Sequence, residues 1–320
     1  MMRLKPKQKQ KGVALFITLL VITIATLLAT EIWFRNSLDI ARQSNNRSSY
    51  QSYHYARGMA LWAKDILRKD YEENPEFDSS GDVWNQPISG IQLEDAVLSG
   101  QMYDMNSKFN LNNLYFSGNF HPPSVNYFRR LLANLQMDVG IADKIIDWMD
   151  ENQVPMQMGA EDVSYLSQNP AYRTAGQPFQ HISELRLIEG INEEIYQRLK
   201  QFVTVLPLLS NSPTKLNVNT VPAVLLKSLD DQISQRDALL LYKEGGASYR
   251  DIGVFFSDPI IRFYNLGQTD IQQLVDTKTE WFDAQIMVTM ESNLYQRHAL
   301  MLRKGNNAVV NQWSATAFFQ

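Results

Sequence analysis

The densest chemistry-bearing stretch of this chain is acidic: Asp147, Asp150, Glu151 and Asn152, followed after a short gap by Glu161 and Asp162. Oxygen ligands at such density suit a hard cation, since calcium takes six to eight of them from side chains and backbone carbonyls. The spacing is not that of an EF-hand loop, which needs alternating acids, a central glycine and a terminal glutamate. The same residues also read as a helix end followed by an acidic, solvated turn.

Other patterns carry less chemistry. "LRLIEGINEEIYQRL" has the form of a helix-hairpin-helix, a unit that presents backbone amides to phosphate and needs cations nearby to do so. Around Gly190 stand Glu184, Glu189, Glu193 and Glu194 against Arg186 and Arg198, so the hairpin has a structural use and nucleic acid is not a partner. His54, His121, His181 and His298 lack the paired spacing of a zinc site. The absence of cysteine excludes disulfides, thiolate metal sites and cysteine nucleophiles. No glycine-rich phosphate loop and no G-x-S-x-G stands out, and nothing nominates a nucleophile–base pair. No residue is assigned a catalytic role.

Charge is unevenly placed. The chain carries a net −4, yet residues 1–12 hold five cations (Arg3, Lys5, Lys7, Lys9, Lys11) and no acid. The remainder has 25 basic against 34 acidic residues, a net −9 that is ill suited to gripping phosphates.

These features must be positioned by an α+β chain. Val13 to Thr30 is an uncharged run free of Gly and Pro, long enough for a transmembrane helix, with the basic flank on the cytoplasmic side. A removable signal would have a shorter apolar region ending in small residues; "LLATEIWFRN" follows instead. Ala56, Met59, Ala60, Ala63 and Leu67 recur at helical spacing, and no proline interrupts residues 13–70. Residues 81–114 read as short strands and turns. In "FDAQIMVTMES", Ala284, Ile286, Val288 and Met290 face one way, while Asp283, Gln285, Thr289 and Glu291 face the other. "GNN" (Gly305–Asn307) is a turn signal between two further strands. Between the strand regions, about 121–273 reads as helical, so the sheet is interrupted by an insertion. Ser183 and Asn192 are expected helix starts there, and Asn219 or Thr220 is the expected cap of a helix with Pro222 in its first turn. "KFNLN" (Lys108–Asn112) and "KLNVN" (Lys215–Asn219) echo one another and suggest two similar helical subdomains.

The leader, the glycine and the long helix together resemble the prepilins of the type IV pilin class. That resemblance implies cleavage by prepilin peptidase between Gly12 and Val13, and N-methylation of Val13. It departs at Ile17, where most pilins carry glutamate at the fifth mature position. "FNLNNL", "IIDWMDEN", "GAEDVSYL", "YRTAGQPF", "SELRLIEGI", "YQRLKQFVTVLP" and "LNVNTVPAVLL" resemble, in this order, the K minor pseudopilins of the type II secretion family.

The family implies a pilin-like antiparallel sheet interrupted by a helical insertion of two SAM-like lobes. The expected divisions are a leader (1–12), a transmembrane helix (13–35), an amphipathic helix with the first part of the sheet (36–118), two lobes (119–211 and 212–275) and closing strands (276–320). The implied role is a subunit at the tip of the type II secretion pseudopilus, a single-pass inner-membrane protein with its C-terminal domain in the periplasm. Its partners would be the I and J minor pseudopilins, other pseudopilins and prepilin peptidase. Some members bind calcium, which directs attention to Asp150, Glu161 and Asp162. The alternatives are a minor pilin of a type IV pilus and a membrane-tethered periplasmic enzyme.

Overall fold

The computed structural model describes residues 11–209, 212–266, 269–290 and 293–315; leader residues 1–10 lie outside them. The chain divides into two compact units, residues 1–54 and 55–320. Helix α1, Lys11–Glu73, contains no proline to break it.

In the first unit, Val13, Leu15, Phe16, Ile17, Leu19, Leu20 and their successors to Leu28 are exposed on all sides of the helix. A helix apolar all round needs an apolar environment, and this one is long and apolar enough to cross a membrane. Its polar residues are satisfied internally. Thr23, Thr26 and Thr30 donate their hydroxyls to carbonyls one turn back at 2.7–2.8 Å, and Thr18 does so to Ala14 and Leu15. No external donor or acceptor is required.

The second unit begins at Tyr55, where α1 packs Ala56, Met59, Ala60, Ala63 and Leu67 against a sheet. The sheet is antiparallel throughout, in the order β1 (Ile88–Gln92), β2 (Val97–Asp104), β9 (Trp281–Met290), β10 (Asn293–Lys304) and β11 (Asn307–Ser314). As the alternation predicts, Ala284, Ile286, Val288 and Met290 are buried against α1 with Leu98, Met102, Ala299 and Met301. The expected turn at "GNN" joins β10 to β11. Asp283 is on the opposite face, as the alternation gives, yet it is fully buried there and lies 2.9 Å from Nδ1 of His298. The insertion covers that end of the outer face, where Leu300 and Leu302 pack with Met105 and Leu206.

The insertion leaves β2 and returns at β9 as two bracketed lobes. In the first, β3 (Phe109–Asn110) pairs in parallel with β6 (Val203–Thr204). Between them lie a small hairpin, β4 (Tyr115–Phe116) and β5 (Asn119–Phe120), then helices α2 (Pro122–Asn134), α3 (Ile141–Met149), α4 (Asp162–Leu166) and α5 (Glu193–Leu199). In the second, β7 (Leu216–Asn217) pairs in parallel with β8 (Val275–Asp276). It encloses α6 (Ala223–Lys227), α7 (Gln235–Tyr242), α8 (Ile252–Ser257), α9 (Pro259–Phe263) and α10 (Thr269–Gln272).

The sequence echo is a structural repeat. Asn112 donates to the carbonyl of Phe179 (3.1 Å) and accepts from its N–H (2.9 Å). Asn219 makes the same pair of bonds to Tyr249, at 3.0 and 2.7 Å. Asn219 is thus spent on the lobe's interior and does not cap α6, whose first turn starts after Pro222; Thr220 instead donates to Asp104. Asn192 caps α5 as expected, accepting from Ile195 N–H at 2.9 Å. Ser183 is not the cap of its turn: His181 accepts from Ser183 N–H, and Glu184 accepts from the N–H of His181.

Candidate metal centre

Helix α3 buries Ile141, Ala142, Ile145, Ile146, Trp148 and Met149 in the lobe core, which directs its carboxylates along one edge. Asp143, Asp147 and Asp150 recur at intervals of four and three, so they share that edge. Two of them fasten the loop that follows. Asp143 accepts from Met158 N–H at 3.2 Å and pairs with Arg129. Asp147 accepts from Met156 N–H through both oxygens, at 3.1 and 3.2 Å. Asp150 begins the loop by accepting from Asn152 N–H at 3.1 Å. The loop then passes so close to Asp147 that a β-carbon on Gly159 would lie 1.7 Å from its Oδ2.

The return of the loop places Glu161 at the N-cap of α4, facing Asp147 and Asp150. One carboxylate oxygen from each of these three residues lies within 4.8 Å of the others, and all three residues are buried. Neither oxygen of Glu161 has a hydrogen-bond partner, and its side chain does not cap α4. An unpartnered buried carboxylate is costly, and its neighbours are also acids. Burial, then Asp147 and Asp150, raise the Glu161 carboxyl to about 7. Burial raises Asp147 to about 6 against the opposing bond from Met156, and burial also raises Asp150.

These residues fit a hard cation. All three donors are carboxylate oxygens, with neither imidazole nor thiolate among them, and two oxygens of Glu161 are free to ligate. Of the ligands expected from sequence, the structure brings Asp150 and Glu161 together and adds Asp147. Asp162 is placed differently. Its oxygens accept from Thr174 N–H (2.9 Å) and Thr174 Oγ1 (3.0 Å) and pair with Arg173 Nη1 (3.1 Å), which holds the far side of the loop. The three- and four-residue spacing along α3 was the available signal for Asp147.

A second acidic group, Asp70, Asp78 and Asp82, has its own cation. Arg303 of β10 bonds Asp70 at 3.2 Å and also pairs with Asp78. The processing residues expected from sequence, Gly12 and Val13, lie in the first turn of α1.

An apolar N-terminal helix long enough to cross a membrane, a helix-backed antiparallel sheet and a two-lobed helical insertion between strands together have the architecture of the pilin-like class. Residues 107–208, which include the acidic centre, match the family described as type II secretion system (T2SS), protein K. The type II secretion system protein K of Pseudomonas aeruginosa is 36% identical over 229 residues, 68% of this chain and 68% of its own. That of Klebsiella pneumoniae is 27% identical over 317 residues, covering 95% and 96%. The fold matches a chain in the crystal structure of the GspK-GspI-GspJ complex from enterotoxigenic Escherichia coli, with a TM-score of 0.74 at 21% identity, covering 85% of this chain and 98% of that one. The chain belongs to the type II secretion system protein K family.

Proposed function

We propose that this chain is the tip subunit of a type II secretion pseudopilus, assembling with I and J minor pseudopilins to initiate or cap the filament for protein export. The solved neighbour was crystallised with two partners of that kind, which supports the same assembly here. Prepilin peptidase cleaves between Gly12 and Val13 and methylates the new amine. Cleavage there leaves the whole apolar helix on the mature chain, a single-pass anchor in the inner membrane with residues after it in the periplasm.

The observation that carries the tip assignment is Ile17, an apolar residue on a helix without acid from Val13 to Thr30. A carboxylate at that depth is costly unless a neighbouring subunit's terminal amine neutralises it. A subunit with no neighbour ahead of it has no such amine to meet. The insertion between β2 and β9 adds bulk that sterically restricts growth beyond this subunit.

Calcium is the cation that the acidic centre suits. Asp147, Asp150 and Glu161 would hold it, and the bound ion would neutralise three crowded carboxylates. Asp143 and Asp162 position the loop around them through Met158, Thr174 and Arg173. Mass spectrometry of the chain from cells containing prepilin peptidase tests the processing step. The expected product begins at N-methylated Val13; an intact Gly12–Val13 bond would overturn the assignment.

A further inference from the structure

Within the second unit an open cavity of about 580 Å³ lies where the sheet meets the segment joining the two lobes. Its walls include Lys215 from that segment, Lys278 ahead of β9, and Arg303 and Lys304 at the end of β10. Four cations around one cavity stand out on a chain that is net −9 beyond residue 12. Arg303 is committed to Asp70 and Asp78, and Lys215 lies 3.8 Å from Asp276. Lys278 and Lys304 have no carboxylate within 4.0 Å among the described residues, and both are exposed. Trp281, fully buried, forms part of the wall.

The acids of the wall do not cancel this excess of donors. Only two acids line the wall against the four cations: Asp276 is engaged with Lys215, and Glu280 has its carboxyl pushed up by burial and Asp276 and drawn down by Lys304 and Lys215. The cavity therefore offers separated ammonium groups to a ligand rich in acceptors. Its volume falls in the range of about 300–1,000 Å³ typical of ligand sites, far more than a single oxyanion fills. We propose that this cavity binds an acidic peptide segment, whose carboxylates are received by Lys278 and Lys304. Because its walls come from both the sheet and the lobe linker, the bound segment would span the junction between them.

The test uses the full chain in detergent micelles and fluorescence anisotropy of a labelled hexaglutamate peptide. The expected result is saturable binding that weakens about tenfold or more in the double variant K278Q/K304Q, and that falls with rising salt. Lys227→Gln, on α6 outside the cavity, should leave affinity unchanged, and hexaglutamine should not bind. Both cavity lysines are exposed, so the double variant should melt at the wild-type temperature. Absence of hexaglutamate binding, equal binding by hexaglutamine, or an unchanged affinity in the double variant would overturn the proposal. Inorganic phosphate displacing the peptide at concentrations no higher than the peptide's own Kd would assign the site to free oxyanions and overturn the peptide reading.

Discussion

Gly159 and Asp147 are in closer approach than any side chain would allow: a β-carbon on the glycine would sit 1.7 Å from Asp147 Oδ2. The loop after α3 is thereby drawn onto the carboxylates it surrounds. Gly159→Ala must displace either the loop or Asp147, at a cost of about 1–3 kcal/mol, the range for overpacking. Chemical denaturation checks the loss, and calcium titration of the same variant should show affinity reduced by at least about tenfold, equivalent to 1.4 kcal/mol.

Glu161 should behave oppositely with and without calcium. In chelator, Glu161→Gln removes a buried carboxylate that has no partner, so the melting temperature should stay level or rise. With calcium about a hundredfold above its Kd, the wild-type chain should gain about 2.7 kcal/mol and the variant much less. Calorimetry showing no heat of calcium binding to the folded wild-type chain would remove the metal centre from the account.

Asp70 gives stability a pH dependence. Burial, then Asp82 and Asp78, raise its carboxyl from 3.8 to about 7 despite the bond from Arg303. The folded chain therefore keeps a proton that the unfolded chain has lost between those values. Stability from this group is present below the unfolded value and is lost as pH rises through about 7, with a slope of up to about 1.4 kcal/mol per pH unit. Asp104, raised to about 6 by burial, acts in the same direction. Thermal melts from pH 5.5 to 8 should show a falling midpoint, and Asp70→Asn should flatten the fall.

Arg303 is the buried partner of both Asp70 and Asp78, and it also donates to the carbonyl of Thr279 at 3.0 Å. Arg303→Met leaves two buried carboxylates without their cation, for an expected loss of about 3–5 kcal/mol in urea unfolding.

Much of this architecture was legible as periodicity. The stripe Ala56, Met59, Ala60, Ala63 and Leu67 marks the buried face of α1, and the alternation from Ala284 to Met290 marks the inner face of β9. Both depend on neighbours in sequence. Asp283 lies on the face the alternation gave it, but its burial there depends on the insertion, a contact that local alternation does not record. Asn219 was misread as a cap for a similar reason: its partner, Tyr249, lies thirty residues on in the same lobe. The acidic centre was half visible. Its composition marked Asp147, Asp150, Glu161 and Asp162 alike, and the resemblance directed attention to Asp150, Glu161 and Asp162; the turn of α3 that brings in Asp147 and the loop bonds that occupy Asp162 arise from folding.

The tip assignment is tested most directly by mixing the detergent-solubilised full chain with the I and J pseudopilins of the same source, followed by size-exclusion chromatography with light scattering. The account expects a stable one-to-one-to-one complex. Three folded proteins eluting separately with calcium supplied would contradict it.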